Sequence, residues 1–258
     1  DGIATDPERY AVNPGRDFTR KRKIDFHRLV HMLLTMEADC IKEELYRFFG
    51  RSPDTPSKSA FYKQRQKLRY ATLPDLLYAF NDKLQKKLFR NKYQLIACDG
   101  SAADIFRNPK DSDTFFEANG KSSRGYNQVH INSFYSIMDR RFTNLVIQPA
   151  RKKNEYRAFC EMVDAAGNDG TPTIYLCDMG YASYNNFAHV IENVQFFVIR
   201  CNDKRVKGIL GQSPDLLGEI DFQVNRILSR SQSRKKRSRP ELSSRYRHVC
   251  KTVSMDYL

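Results

Sequence analysis

The chain has 258 residues, 40% of them hydrophobic, and a formal net charge of +14 at pH 7 with a pI near 9.5. That apolar content supports a real core, while no run comes near the roughly 20 apolar residues that cross a bilayer and no signal peptide is expected. The charge points to a polyanionic partner, above all nucleic acid, rather than a membrane.

Residues 1–23 hold Pro7, Pro14 and Gly15 and end in Arg20, Lys21, Arg22 and Lys23, which reads as an irregular basic arm. Residues 24–91 then follow a helical period. Phe26, Leu29, Val30 and Leu33 recur at i, i+3, i+4 and i+7, and Ile41, Leu45, Phe48 and Phe49 do so again after a break near Asp39. Gly50 stops the second helix, and Pro53 and Pro56 hold the turn. Residues 57–69 form a thinly apolar helix with Phe61 and Leu68 on one side and Lys58, Tyr62, Lys63, Arg65 and Arg69 around the rest. A helix-turn-helix reader and an ordinary surface helix both fit that pattern. Thr72 is expected to cap a last helix whose stripe runs through Leu73, Leu76, Leu77, Phe80, Leu84 and Leu88.

From residue 92 to 212 the pattern changes to strands and helices in the order β-β-β-α-β-α-β. The first strand, 95–98, ends at Asp99-Gly100 and is followed by a polar loop with Lys121 and Arg124. An alternating hairpin spans 129–138 and 142–148, and Arg151, Lys152 and Lys153 follow it. Asn154 caps a helix ended by Gly167 and Gly170, a second apolar run 174–177 ends at Asp178, Ser183 caps another helix, and 194–200 is a fifth strand. Right-handed crossovers predict a mixed sheet with the first strand parallel to the fourth, so that Asp99 and Asp178 become neighbours. Residues 213–258 read as an incomplete β-rich insertion: Ile220, Phe222 and Val224 alternate, 230–239 is a basic loop, and 249–253 starts another strand.

Paired carboxylates at strand ends serve either acid-base chemistry or a hard cation. A basic protein favours phosphate chemistry assisted by Mg²⁺, with Mn²⁺ as a substitute, over glycoside hydrolysis. The six cysteines form no CxxC pair and read as reduced core thiols; Cys98 and Cys177 face away from their neighbouring aspartates, and His130 reads as a sheet-face residue. Lys121, Arg124 and Arg151 to Lys153 flank strand ends and are candidate phosphate contacts.

These residues resemble the DDE transposases of bacterial insertion sequences, closest to the insertion-sequence-four branch. The resemblance rests on the helical front end, on Cys98-Asp99-Gly100-Ser101, on QPARKKNEY at 148–156, and on Tyr175 to Tyr181 with Asp178, Gly180 and Tyr181. It implies a ribonuclease-H-like core behind a helical DNA-binding domain, in a bacterial cytoplasmic, nucleoid-associated protein. It implies Asp99 and Asp178 as the first two acids of a metal-binding triad, with Gly180 and Tyr181 in support, and Mg²⁺-dependent cleavage and strand transfer at transposon ends. The partners implied are double-stranded DNA ends and target; a homodimer in synapsis stays open. The family's third acid lies in a Tyr-x2-Arg-x3-Glu-x6-Lys helix after the β-rich insertion, and no residues here have that spacing. The chain is therefore expected to be a truncated transposase, impaired as it stands. The alternative is a non-catalytic DNA-binding protein derived from one.

Overall fold

In the computed structural model the chain divides into two units, residues 1–85 and 86–258; residues 6–120, 122–201, 223, 225–230 and 246–257 are described. The first unit carries five helices, α1 Pro7–Tyr10, α2 Phe26–Thr35, α3 Ile41–Phe48, α4 Lys58–Arg65 and α5 Thr72–Asp82. Side-chain oxygens of Asp6, Asp25 and Ser57 cap α1, α2 and α4, satisfying backbone donors that a helix start leaves open. Leu29, Met32, Leu45 and Phe61 form the main core, and Tyr10, Phe26 and Val30 form a second cluster.

Three features depart from the sequence reading. Residues 1–23 are not simply an irregular arm: Tyr10 and Ala11 are buried, Ala11 bridges Leu68, and Val12 N donates to Lys67 O (2.8 Å) while Arg69 N donates to Tyr10 O (2.9 Å). Thr72 is the first residue of α5 rather than its cap, since its hydroxyl donates back to Arg69 O (2.8 Å). The helix also stops at Asp82, leaving Leu84 and Leu88 outside it. Near its end Asn81 Nδ2 donates to Leu77 O (3.0 Å), the local side-chain bond that competes with continued helix.

The second unit is built on β1 Gln94–Ile105, β2 Phe115–Phe116, β3 Tyr126–Ser136, β4 Arg141–Pro149, β5 Thr173–Cys177 and β6 Phe196–Ile199, with helices α6 Glu155–Ala166 and α7 Tyr184–Glu192. Its sheet is mixed, as expected: β1 pairs antiparallel with β3 and parallel with β5, β5 pairs parallel with β6, and β2 and β4 both pair with β3. Alternation sorts the side chains. Ile96, Cys98, Phe134, Tyr175 and Cys177 face a core completed by Phe159, Met162 and Val163 of α6 and Val190 of α7. On the opposite face Ile147, Phe196 and Val198 are exposed.

β1 does not end at Asp99 as the sequence reading has it. It continues to Ile105, pairing Asp99 through Ile105 with Ser133 through Asn127, so the expected polar loop starts six residues later. Short strands β7 Ile227–Ser229 and β8 Tyr246–His248 pair in parallel. The expected alternation at 220–224 and the basic loop at 230–239 lie largely outside the described residues, and the strand expected at 249–253 gives way to β8 just before it.

The segment after β8 docks on α7 through His189. Its Nδ1 lies 3.0 Å from both Asp164 oxygens and its Nε2 3.0 Å from Asp256 Oδ2, with the Tyr257 ring edge-on at 4.9 Å. Asn185 also holds Asp256, accepting from its N–H (2.8 Å) and donating to its Oδ2 (3.1 Å). Carboxylates on both ring nitrogens call for the doubly protonated imidazolium. Burial pushes its pKa down, but Asp164 and Asp256 outweigh that and hold His189 above its usual value, while His189 and Asn185 hold Asp256 below the usual carboxylate range. The raised histidine therefore contributes stability fully present below about pH 6.5 and lost as pH rises through its folded pKa; the depressed aspartate contributes stability present above about 3.9 and lost as pH falls through its folded value. Hydrogen exchange over 249–257, corrected for the intrinsic chemical rate, is expected to be slowest between those limits and to accelerate above pH 6.5. His189→Gln is expected to abolish the alkaline limb; an unchanged profile in that variant would contradict the assignment.

Candidate metal and nucleic-acid site

The parallel register of β1 and β5 runs to Cys98 opposite Cys177, so the next residue of each strand is an aspartate. Neighbouring strands lie about 4.8 Å apart, and Asp99 and Asp178 are therefore side by side where β5 leaves the ladder and β1 continues. Both are exposed. Each is pinned through one oxygen: Asp99 Oδ1 accepts from Gly100 N (2.8 Å), and Asp178 Oδ1 accepts from Gly180 N (2.7 Å) at the head of a 3₁₀ turn over Met179–Tyr181. The two Oδ2 atoms have no protein partner among the described residues. Oriented oxygens of this kind fit a hard divalent cation, which takes one or two carboxylates and fills its shell with phosphate and water. Among the described residues no group of three or more His, Cys, Asp or Glu is close enough to hold a metal.

Behind the aspartates lies a layer of buried polar groups. Gly100 is flanked so closely by His130 that an added Cβ would sit 2.6 Å from its Nε2 and 3.3 Å from Asn132 Oδ1. His130 Nε2 lies 2.9 Å from Glu155 Oε1 at the start of α6, yet is out of line for a hydrogen bond, and Asn132 Oδ1 and the Tyr181 hydroxyl also lack partners. Burial pushes the Tyr181 phenol up, helped by Cys98, Glu155 and Asp99, so it stays a neutral donor. Cys98 and Cys177 are buried in the core, with the neighbouring Cys98 thiol and burial raising Cys177. Sequence reasoning missed Glu155 and Asn132; the signal was present in Asn154, the α6 cap, which fixes where Glu155 stands, and in the alternation of β3, which puts Asn132 on the same face as His130.

The expected phosphate contacts divide. Arg151 donates to Phe115 O (3.1 Å), Lys152 pairs with Asp113 (2.7 Å) and Lys153 with Glu155 (3.2 Å), so all three are engaged within the protein. Arg124 is exposed, and Lys121 lies outside the described residues. In the first unit Arg20 to Lys23, Lys58, Tyr62, Lys63, Arg65 and Arg69 are all exposed; Lys23 pairs with Asp54, and Arg65 lies over the Tyr62 ring. A groove of about 870 Å³ runs between the basic cluster and the start of α4, lined by Lys21, Arg22, Lys23, Lys63 and Lys67. Gln64, 8% exposed, lines it too, with its Oε1 unpartnered.

A family model described as the transposase DDE domain matches residues 90–256. No curated protein sequence matches the chain. Among solved structures, one similar chain comes from the "Drosophila P element transposase strand transfer complex", at 9% identity and a TM-score of 0.39 over 75% of this chain. The match takes in 45% of that chain, so the present one spans less than half its length.

Proposed function

Because the chain belongs to the transposase DDE domain family, we propose that Asp99 and Asp178 are the first two acids of its metal site and that the protein cleaves DNA at transposon ends and transfers the freed 3′ end to target DNA. The observation that carries this reading is the pair of in-register strands whose adjacent aspartates are each held through Oδ1 by a backbone N–H. A divalent cation bound there, Mg²⁺ in this reading, supplies polarisation of the scissile phosphate and a more acidic attacking water. The chain's own groups do the rest. The N–H of Gly100 and of Gly180 fixes each carboxylate, and Tyr181, packed on Phe159, anchors the turn that follows Asp178.

In the same reading the basic groove of the helical unit holds DNA through its phosphates, and Lys58, Tyr62 and Arg65 on α4 face the grooves of the duplex. Residues 24–91 serve as the DNA-binding domain, 92–212 as the catalytic core and 213–258 as part of the insertion. In the insertion-sequence-four pattern that the chain resembles, the third acid is the glutamate of a Tyr-x2-Arg-x3-Glu-x6-Lys helix. The setting is bacterial and nucleoid-associated; no described helix is long and apolar enough to cross a membrane.

The test is cleavage of end-bearing DNA in Mg²⁺ by a protein that carries this chain together with the downstream glutamate helix. Asp99→Asn and Asp178→Asn are each expected to lower the rate by on the order of 100-fold or more, the scale of losing one charge partner of the transition state. Cutting at the parent rate by either variant sinks the assignment.

A further inference from the structure

Beyond Asp99 the sheet loses its β5 side and narrows to β1, β3 and the strands on the far side of β3, first β4 and then β2. β1 loses its β5 partner after Cys98 but stays paired with β3 through Ile105. At about 3.3 Å per residue, the six residue steps from Asp99 to Ile105 carry β1 roughly 20 Å past the aspartates. Phe106 stands at its tip, 93% exposed. An exposed phenylalanine forgoes the roughly 1.5–3 kcal/mol that burial of such a side chain supplies, so one carried on a held stretch of backbone needs a reason.

Phe106 is rigidly mounted. On one side Ile105 is paired with Asn127 in the ladder. On the other, the fully buried Asn127 side chain grips Asn108 twice, its Oδ1 accepting from Asn108 N (2.6 Å) and its Nδ2 donating to Asn108 O (3.0 Å); the same Nδ2 donates to Thr114 Oγ1 (2.8 Å). Arg107 is tied down as well, with Nε donating to Arg124 O (2.9 Å) and its guanidinium over the Phe115 ring. The acids of this tip are mostly occupied: Asp104 accepts from Gln128, Asp111 from Thr114, and Asp113 pairs with Lys152, while Glu117 has no partner among the described residues. Arg107, Lys110 and Arg124 are exposed and have no carboxylate partner among the described residues.

A solvent-facing aromatic ring on a held backbone, among cations that have no carboxylate partner, is an arrangement that suits unstacked bases: the ring takes the base's face, and the cations take the phosphates on either side. We propose that Phe106 is a stacking platform for a nucleobase lifted out of the DNA duplex, with Arg107, Lys110 and Arg124 holding the flanking strand. This rests on the reading that the chain acts on DNA. At 3.4 Å per base step, the base lies roughly six steps from the phosphate at the aspartates.

The experiment compares binding of the full chain to a fully paired duplex and to a forked duplex carrying 2-aminopurine in its unpaired arm, at one fixed salt concentration. The parent is expected to prefer the fork by about tenfold, from a stacking contribution of about 1–3 kcal/mol per base, and to quench the 2-aminopurine. Phe106→Ala and Phe106→Leu, the latter apolar but without a π face, are expected to lose both the preference and the quench while binding paired duplex like the parent. Retention of both by Phe106→Leu, or no fork preference in a parent that binds duplex, overturns the platform and leaves the DNA reading intact. A parent that binds neither DNA overturns both.

Discussion

Phe159→Ala is expected to lower the stability of the 86–258 unit by about 3–5 kcal/mol, the range for emptying a buried aromatic site. Phe159 is 0% exposed, and its ring meets those of Phe134 (5.7 Å), Tyr175 (5.9 Å) and Tyr181 (5.7 Å). It thus packs β3, β5 and the turn after Asp178 onto α6 at one point. Against a typical total of 5–15 kcal/mol for a domain, a loss of that size leaves little margin. The same change removes the wall behind Tyr181, so ordering of the Asp178 turn should fall with stability. Urea unfolding of this variant beside Phe159→Leu, which keeps most of the volume, checks the claim; a loss below about 1 kcal/mol for alanine would contradict the packing described.

Gly125→Ala is expected to have the second large effect. Gly125 has φ +67°, and an added Cβ would lie 2.5 Å from the Phe116 carbonyl oxygen and 2.8 Å from the Phe115 ring. The left-handed backbone costs a non-glycine residue about 1–3 kcal/mol, and the clash adds about 1–3 kcal/mol because its nearest atom is backbone. Gly15 has φ +72° with nothing within 4 Å, so Gly15→Ala serves as the control that carries the backbone cost alone. The strain at Gly125 falls on β2, which pairs with β3 through only two residues. Release of β2 is therefore the expected outcome, read as faster hydrogen exchange at Phe115, Phe116 and Tyr126 while β5 and α6 stay protected. Equal protection in Gly125→Ala and Gly15→Ala would show that the turn relaxes without cost.

The apolar runs through Cys98 and Cys177 were legible as strands, and their adjacency followed from crossover handedness; the stop after Cys177 held, but Asp99-Gly100 did not end β1. The helix starts at Asn154 and Ser183 and the stop at Gly167 were legible because their signals are local. The extension of β1 to Ile105 was not. Gly100, Ser101, Ala102 and Ala103 have little strand preference, and only pairing with β3, a contact distant in sequence, keeps them extended. Nor could spacing reveal that Tyr10 is buried or that Lys152 is spent on Asp113, since both depend on partners far along the chain. At the site the two aspartates were readable from the sequence, but the buried layer behind them was not: His130 looked like one more alternating residue until Gly100 made room for it.

The pairing of residues 10–12 with residues 67–69 has a consequence for synthesis. The first helix and the basic cluster leave the ribosome early, yet the backbone partners of Tyr10 to Val12 arrive only with Lys67 to Arg69. The helical unit is a loop drawn shut by its own ends, and the entropy of closing it falls due before the last contacts form. A nascent chain that stops short of Arg69 therefore displays Arg20 to Lys23 on an unclosed scaffold, so the positive charge exists before the shape that organises it.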